Sequence, residues 1–234
     1  MVSFRAITTT TFGYKDLTLN LLQSIKTNNV NLDIEVFTLD NQSETFFKDH
    51  TSNINKLDED NKLELDSLLP YRSENFAKVM IQKLKVIHSS LIDNDYVLYI
   101  DGDIVIKKNI TNYLLKKIQN KDIIFQNDKR PSKPNLTNLC AGFMIITSND
   151  KTKKFFDPKT GAHEEFKNYL THDQTYINKK KDEFEYFILP LNKFPNGPHF
   201  YSYREILDPY IVHFNYLQAE EKIAEMKKLN HWYV

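Results

Sequence analysis

A chain of 234 residues fits one α/β domain, or one domain with a small appendage, and can bury a substantial core. Its 31 basic residues equal its 31 acidic ones, so no net field draws it to nucleic acid or to an anionic membrane. The single cysteine, Cys140, excludes an internal disulfide framework, and no apolar run approaches the roughly 20 residues that cross a bilayer.

The N-terminal sequence lacks the basic and then apolar segments of a secretion signal. Together with the single cysteine, this predicts a reducing, cytoplasmic setting. Frequent Asn, Lys and Ile indicate an AT-rich genome, such as a viral or protist one. We interpret the glycosylation sequons at Asn41, Asn109 and Asn135 as chance occurrences in an Asn-rich chain.

The first half of the chain alternates predicted strands and helices. A β-prone run at residues 4–9 ends at a Thr tract and the Gly13 break, and apolar residues then recur at helical spacing over 17–25. A second strand is predicted at 32–39, followed by short helices and loops over the polar region 43–66. A helix predicted at 73–91 leads to residues 96–100, which are typical of a fully buried central strand.

The second half continues the pattern less regularly. Extended segments are predicted at 123–125, 140–147, 188–191 and 210–214, with a proline-bearing loop at 129–138 and a turn at 195–198. A polar stretch at 148–161 precedes a helix ending near 179–181, and a terminal helix is predicted at 219–229. This alternation predicts an α/β sheet with its ligand site at the carboxyl ends of the strands.

The chemistry is predicted at Asp101-Gly102-Asp103, directly after the buried strand. Two neighbouring carboxylates repel each other unless a cation lies between them. Gly102 permits a tight turn or a close approach, so both could bind one hard cation such as Mg²⁺ or Mn²⁺. An Asp-x-Asp is also common as a plain polar turn.

The segment from Val97 to Val105, VLYIDGDIV, resembles the DxD segment of retaining GT-A glycosyltransferases, the glycogenin-like and nucleotide-diphosphosugar transferase families. The resemblance implies one GT-A domain over residues 1–234, with a mixed, mostly parallel sheet flanked by helices. Residues 1–103 would form the nucleotide-binding half, and residues 104–234 the half that binds sugar and acceptor.

Three further segments match the family in order. Lys83 resembles the basic residue directed toward the donor, although a solvated helix lysine is the alternative. Gly142, in Cys-Ala-Gly-Phe-Met, resembles the glycine that presents backbone to the transferred sugar; the alternative is close packing in a core strand. Asp173-Gln174 resembles the element near the anomeric carbon, where both residues would be catalytic; an Asp that caps a helix is the alternative.

The C-terminal segment from Phe194 to Trp232 resembles the final part of the nucleotide-diphosphosugar transferases. The resemblance implies that His213 is a third metal ligand beside Asp101 and Asp103, which favours Mn²⁺ over Mg²⁺. It also implies that Lys222 reaches the diphosphate of the donor. Ala219 stands where the family has a glycine.

The nucleoside is expected near the first strand. Thr9, Thr10 and Tyr14, with Asp40 at the end of the second strand, occupy the places where these enzymes hold it. Tyr14 would stack on uracil and Asp40 would accept hydrogen bonds from base or ribose. A Thr-rich turn with a packed tyrosine is the structural alternative.

The resemblance implies a retaining transferase that moves a hexose or N-acetylhexosamine from a UDP-sugar to a glycan or protein hydroxyl. One alternative is a non-catalytic module that binds a nucleotide sugar or glycan. The other is a sugar nucleotidyltransferase, which would need a Gly-rich, basic phosphate loop; the 8–14 segment contains only Gly13, followed by Lys15.

Overall fold

The structure is a computed structural model that describes residues 3–56, 73–133, 137–160, 165–166 and 171–234. The predicted sequon Asn135, residues 57–66 of the predicted 43–66 region and Gly161 lie outside the described residues. The described strands are β1 (Phe4–Thr10), β2 (Ile34–Thr38), β3 (Ile54–Lys56), β4 (Tyr96–Ile100), β5 (Ile104–Ile106), β6 (Ile123–Asn127), β7 (Leu139–Thr147), β8 (Tyr186–Ile188) and β9 (Ile211–His213).

Helices connect most of these strands. They are α1 (Lys15–Thr27), α2 (Asn41–Lys48), α3 (Glu74–Asp93), α4 (Thr111–Ile118), α5 (Asp150–Phe156), α6 (Asp173–Lys180), α7 (Gly197–Tyr203) and α8 (Ala219–Lys228). Short 3₁₀ turns occur at Phe12–Tyr14, Pro158–Thr160, Lys181–Glu183 and Arg204–Ile206. None of the described helices combines the length and apolar character that crossing a membrane requires.

The main sheet is mixed and mostly parallel, as predicted. Its strand order is β3-β2-β1-β4-β7-β6-β8. The neighbours of β7, which are β4 and β6, run antiparallel to it, whereas the other pairs are parallel. β4 lies between β1 and β7 and is buried over Val97 to Ile100, so the central strand predicted there is confirmed.

The two faces of β4 pack against different helices. Leu98 and Ile100 belong to an apolar cluster with Leu21 of α1, whereas Val97 and Tyr99 belong to one with Leu84 of α3. Side chains alternate between faces along a strand. Asp101 continues the phase of Val97 and Tyr99, and it consequently faces α3.

A second, two-stranded sheet positions the end of the site. β5 pairs antiparallel with β9, with Ile104 opposite His213. The pairing brings His213 next to Asp103, the residue that precedes β5. The sequence analysis did not predict β5, because three residues are too few to show a strand period.

Several predicted boundaries were wrong. The stretch 148–161 contains α5, whose start is stabilised by a capping box between Asn149 and Thr152. The predicted turn at 195–198 is the start of α7, where the Asn196 side chain accepts a hydrogen bond from the His199 N–H. The strand predicted at 188–191 is β8 at Tyr186–Ile188, because its pairing with β6 sets its register. α4 was not predicted.

Candidate active site

A cavity of about 1420 Å³ opens at the carboxyl ends of β1 and β4. Its wall also includes the start of β7, parts of α3 and α6, and the segment that leads into α8. All predicted site residues except Asp40 line it: Thr9, Thr10, Tyr14, Lys83, Asp101, Gly102, Asp103, Gly142, Asp173, Gln174, His213 and Lys222. The fold therefore collects nearly all the predicted residues around one space.

Asp40 is placed differently from the prediction. It is buried, and one carboxylate oxygen accepts from the Ser43 N–H at 2.7 Å to cap α2. The other accepts from the Phe12 N–H at 2.8 Å. Asp40 thus orders the turn after β1, but the structure does not bring it to the cavity wall.

Asp101, Asp103 and His213 converge at the floor of the cavity. Each offers a possible metal-ligand atom, and these atoms all lie within 4.8 Å of one another. The Asp101 side chain is 35% exposed, whereas those of Asp103 and His213 are 9% and 3% exposed. The three groups, one partly exposed carboxylate, one buried carboxylate and one buried imidazole, are thus close enough together to bind one metal ion.

The orientation of His213 is set by Gln126 of β6. The Gln126 side-chain nitrogen donates to the carbonyls of Phe194 and Pro195 at 3.3 and 3.0 Å. Because carbonyls only accept, Gln126 Oε1 faces His213 Nδ1, 2.7 Å away, and accepts from it. This places the Nδ1 proton toward Gln126 and turns Nε2 toward Asp103, 3.1 Å away.

Asp103 is surrounded by positive charge. Lys222 Nζ donates to its Oδ2 at 2.6 Å, opposite the His213 contact at Oδ1. Burial raises the pKa of Asp103, but Lys222 and His213 outweigh burial and hold that pKa far below its usual value. Burial lowers the pKa of His213, yet Asp103 and Cys140 together outweigh burial and hold that pKa well above the usual 6.5.

Lys83 is buried at 2% exposure, so the alternative of a solvated helix lysine was wrong. Its Nζ contacts Asp173 Oδ2 at 2.7 Å and Asp101 Oδ1 at 3.2 Å, and it donates to the Ala141 carbonyl at 2.9 Å. Burial lowers the pKa of Lys83, but Asp101 and Asp173 outweigh it, so the pKa lies well above 10.5. Lys83 is a fixed cation between two site carboxylates.

Asp173 and Gln174 begin α6 beside β7. Burial raises the pKa of Asp173, but Lys83 and His172 together outweigh burial and lower it, so this carboxylate remains ionised at neutral pH. The Gln174 Oε1 accepts from the Ala141 N–H at 3.3 Å, and its Nε2 donates to Asp128 at 2.8 Å. Both ends of the Gln174 amide are therefore held.

Gly142 and Gly102 are required by close packing. A Cβ at Gly142 would lie 2.4 Å from Asp101 Oδ2 and 2.6 Å from His213 Cε1. A Cβ at Gly102 would lie 2.5 Å from Thr18 Oγ1 on α1. Any side chain at Gly142 would occupy the space between two of the converging ligand groups.

The predicted nucleoside residues lie at the β1 edge of the cavity. Thr9 Oγ1 and the Tyr99 hydroxyl are 2.8 Å apart, and that hydroxyl also donates to Asp101 at 2.9 Å. Thr10 accepts from Thr18 Oγ1 at 3.0 Å. Burial raises the pKa of Tyr14, which lines the cavity together with Lys222, Asp101 and Asp103.

The sequence analysis missed Asp128, which follows β6 and is 2% exposed. We call it and its donors the Asp128 cluster. Gln174 and Asn138 donate at 2.8 and 2.9 Å, Tyr216 at 2.6 Å, and Asn215 and Asn196 at 3.0 and 3.3 Å. The available signal was an acidic residue at the carboxyl end of a predicted strand; Gln126, a buried polar residue in that strand, was missed too.

Comparisons with known proteins identify the family and the fold. Residues 33–226 match the family model of the nucleotide-diphospho-sugar transferases. The chain is 24% identical over 258 residues to a UDP-galactose:fucoside alpha-3-galactosyltransferase of Dictyostelium discoideum, covering 87% of this chain and 39% of that protein. The chain thus spans well under half the length of this relative.

Two solved structures show the same fold. An active-site mutant of LgtC superimposes with a TM-score of 0.63 at 12% identity, covering 96% of this chain and 95% of that one. A glycosyltransferase involved in glycosylation of the major capsid of PBCV-1 superimposes with a TM-score of 0.60 at 13% identity, covering 97% and 99%. The chain has the predicted GT-A fold and belongs to the nucleotide-diphospho-sugar transferase family, a family of glycosyltransferases.

Proposed function

We propose that the chain is a metal-dependent glycosyltransferase that moves a hexose or N-acetylhexosamine from a UDP-sugar to a glycan or protein hydroxyl, with retention of configuration. The observation that carries this proposal is the convergence of Asp101, Asp103 and His213 in one cavity. Two lysines of the same cavity form ion pairs with these aspartates, Lys83 with Asp101 and Lys222 with Asp103. Such a site suits a donor that carries phosphate charge. The family membership supports the transferase class, and the sequence resemblance supports retention.

The residues present fit Mn²⁺ or Mg²⁺. Two carboxylates supply the oxygen ligands that hard cations prefer, and the imidazole of His213 favours Mn²⁺. Gly142 leaves free the space that a Cβ would fill between Asp101 and His213. Bound there, the ion would neutralise the negative charge that develops on the departing diphosphate.

Lys222 would act on the same diphosphate. Its ammonium lies at the cavity wall, paired with Asp103 Oδ2 at 2.6 Å. An ammonium beside a phosphate stabilises the charge that the leaving group acquires as its bond to the sugar breaks. Lys222 therefore binds and stabilises the leaving group in this proposal.

Asp173 and Gln174 act on the sugar. The Lys83 ion pair holds Asp173 ionised, and a negative charge near the anomeric carbon stabilises an oxocarbenium-like transition state. Because Asp128 and Ala141 fix the Gln174 amide, its dipole is already oriented before the sugar binds. Preorganised dipoles need little rearrangement during the reaction.

Galactose is the donor sugar that we propose first, with a fucoside as acceptor. The support is the name of the Dictyostelium relative, a UDP-galactose:fucoside galactosyltransferase. The share of that relative covered by this chain, 39%, leaves both substrates to experiment.

The test measures UDP release from UDP-galactose, UDP-glucose, UDP-xylose and UDP-N-acetylglucosamine, with Mn²⁺ and after chelation by EDTA. We expect saturable release with at least one donor, lost on chelation and restored by Mn²⁺. NMR of the product anomer tests retention. Full turnover in EDTA would refute metal dependence, and tight UDP binding by calorimetry without release would favour the non-catalytic binding module.

A further inference from the structure

Tyr216 has an unfavourable backbone conformation. Its φ is 66°, in the left-handed region, and the other described non-glycine residues with positive φ are Asn29, Asn120 and Asn230. Asparagine tolerates this region, whereas an aromatic side chain does not favour it. Outliers of this kind persist where surrounding contacts hold them, and they concentrate at ligand sites.

The Tyr216 side chain is held at its hydroxyl and over its ring. Its hydroxyl donates to Asp128 Oδ2 at 2.6 Å, and the Arg130 guanidinium carbon lies 4.1 Å from the ring centroid. Burial and the Asp128 charge raise the pKa of Tyr216, so the phenol stays protonated and keeps donating. These contacts fix the ring direction although the residue is 41% exposed.

The Tyr216 ring lies near Gln174, which we propose acts on the sugar. Tyr216 lines the cavity, and its hydroxyl shares Asp128 Oδ2 with the Gln174 amide nitrogen, which is 2.8 Å from that oxygen. Because both donate to the same oxygen, the Tyr216 hydroxyl and the Gln174 amide nitrogen are separated by no more than the sum of these two hydrogen-bond distances. The predicted nucleoside residues Thr9 and Thr10 lie at the β1 edge of the same cavity.

We infer that the Tyr216 ring is the platform on which the acceptor, a neutral pyranoside, stacks its C–H face, on the side of the ring opposite Arg130. This inference rests on the proposed function. The face of an aromatic ring is electron-rich and attracts the slightly positive C–H groups of a sugar ring. A ring that is fixed in advance loses little entropy when the sugar binds. Tyr216 thereby determines which acceptors bind next to Gln174.

The experiment compares Tyr216→Gly and Tyr216→Phe with the wild type. Glycine removes the ring and suits a φ of 66°, so the protein should stay folded. UDP release from UDP-galactose with Mn²⁺ is measured in water alone and with methyl fucoside, methyl galactoside, methyl glucoside and methyl xyloside. The glycoside that most accelerates wild-type release is the acceptor probe.

We expect Tyr216→Gly to raise the KM for the probe about tenfold or more. Release in water and the KM for UDP-galactose should be similar in Tyr216→Gly and Tyr216→Phe, because both variants lose the hydroxyl that donates to Asp128 and differ in the ring. Tyr216→Phe retains the ring and should restore most of the affinity. Tyr203→Ala, at a 42%-exposed tyrosine away from the cavity wall, is the matched control and should behave as wild type.

An unchanged probe KM in Tyr216→Gly would overturn the inference, as would an increase confined to UDP-galactose. A wild type that hydrolyses the donor but is accelerated by none of the four glycosides would overturn the assignment of a neutral pyranoside. A wild type that neither binds UDP nor releases it would refute the proposed function instead, and the inference with it.

Discussion

Two buried carboxylates at the cavity have different kinds of partner. Asp103, one of the proposed metal ligands, is paired with charged groups, His213 and Lys222. The described donors to Asp128 are neutral amides and a phenol, from Asn138, Gln174, Asn196, Asn215 and Tyr216. Both carboxylates are buried, at 8% and 2% exposure, so burial does not explain the difference.

The difference indicates two kinds of task. A charged partner can exchange its ion pair within the protein for one with a charged ligand, as Lys222 would with a diphosphate. Neutral donors fill the hydrogen-bonding capacity of a buried carboxylate without adding charge. The same hydrogen bonds fix the directions of the donor side chains. The partners of Asp103 therefore suit the binding of a charged ligand that we propose, and those of Asp128 suit the positioning of side chains.

The largest expected effect is at the proposed metal site. Asp103→Asn should lower kcat/KM for the donor about 10³-fold, because it removes a ligand of the ion that would neutralise the diphosphate. Asp101→Asn should do the same, and its 35%-exposed side chain makes a folding defect a weaker explanation. Asp208→Asn, whose side chain is 88% exposed, is the control. Activity of the Asp101 variant within tenfold of wild type would contradict the binding role.

The Asp128 cluster should instead govern stability. Asp128→Asn should lower the free energy of unfolding by about 2–4 kcal/mol in urea titrations, because an amide cannot accept from all the buried donors. The control Asp182→Asn, at an 83%-exposed side chain, should change it by less than about 0.5 kcal/mol. A loss below 1 kcal/mol at Asp128 would show that the cluster is not a structural centre.

A smaller effect tests the link between β6 and the proposed metal site. Gln126→Leu removes the acceptor of the His213 Nδ1 proton, so Nε2 loses its fixed direction. Mn²⁺ affinity in the presence of UDP, followed by electron paramagnetic resonance, should fall about 10- to 100-fold. Gln119→Leu, at an exposed position, should leave it unchanged. Equal affinity in both variants would mean that Gln126 does not orient the imidazole.

The smallest effect concerns acid stability. The folded pKa of Asp173 lies below its unfolded value of about 3.9. Its contribution is therefore present above pH 4 and lost as the pH falls through the folded pKa. Between pH 5 and pH 3 this should remove about 1 kcal/mol from the free energy of unfolding of the wild type. In Asp173→Asn that fall should be shallower, whereas Asp182→Asn should follow the wild type.

Local patterns in the sequence carried much of the architecture. The apolar run at Tyr96–Ile100 predicted the central strand, and Ser73 predicted the start of α3, where its hydroxyl accepts from the Phe76 N–H at 3.2 Å. α8 was predicted within one residue of its end. Elements whose residues repeat with a clear period over several turns or pairs are visible without tertiary contacts.

The elements that were missed or misplaced are short, and several of them show no clear period. β5 and β8 each have three residues, and their existence and register depend on β9 and β6. α5 and α7 lie in polar or proline-bearing stretches, where the side chains of Asn149 and Asn196 cap and stabilise the helix starts. Their starts depend on side-chain hydrogen bonds, which periodicity does not reveal.

The sequence by itself determined that two carboxylates follow a buried strand and that a histidine and a lysine of the right chemistry come later in the chain. Tertiary structure alone decided that β5 and β9 bring His213 to Asp103, that Lys83 is buried between two carboxylates, and that Asp40 caps a helix. It also decided that Asp128 holds Tyr216 and Gln174 together. The physical reason is that the sequence gives the type and order of the side chains, whereas the partner and the burial of each side chain depend on packing between distant segments.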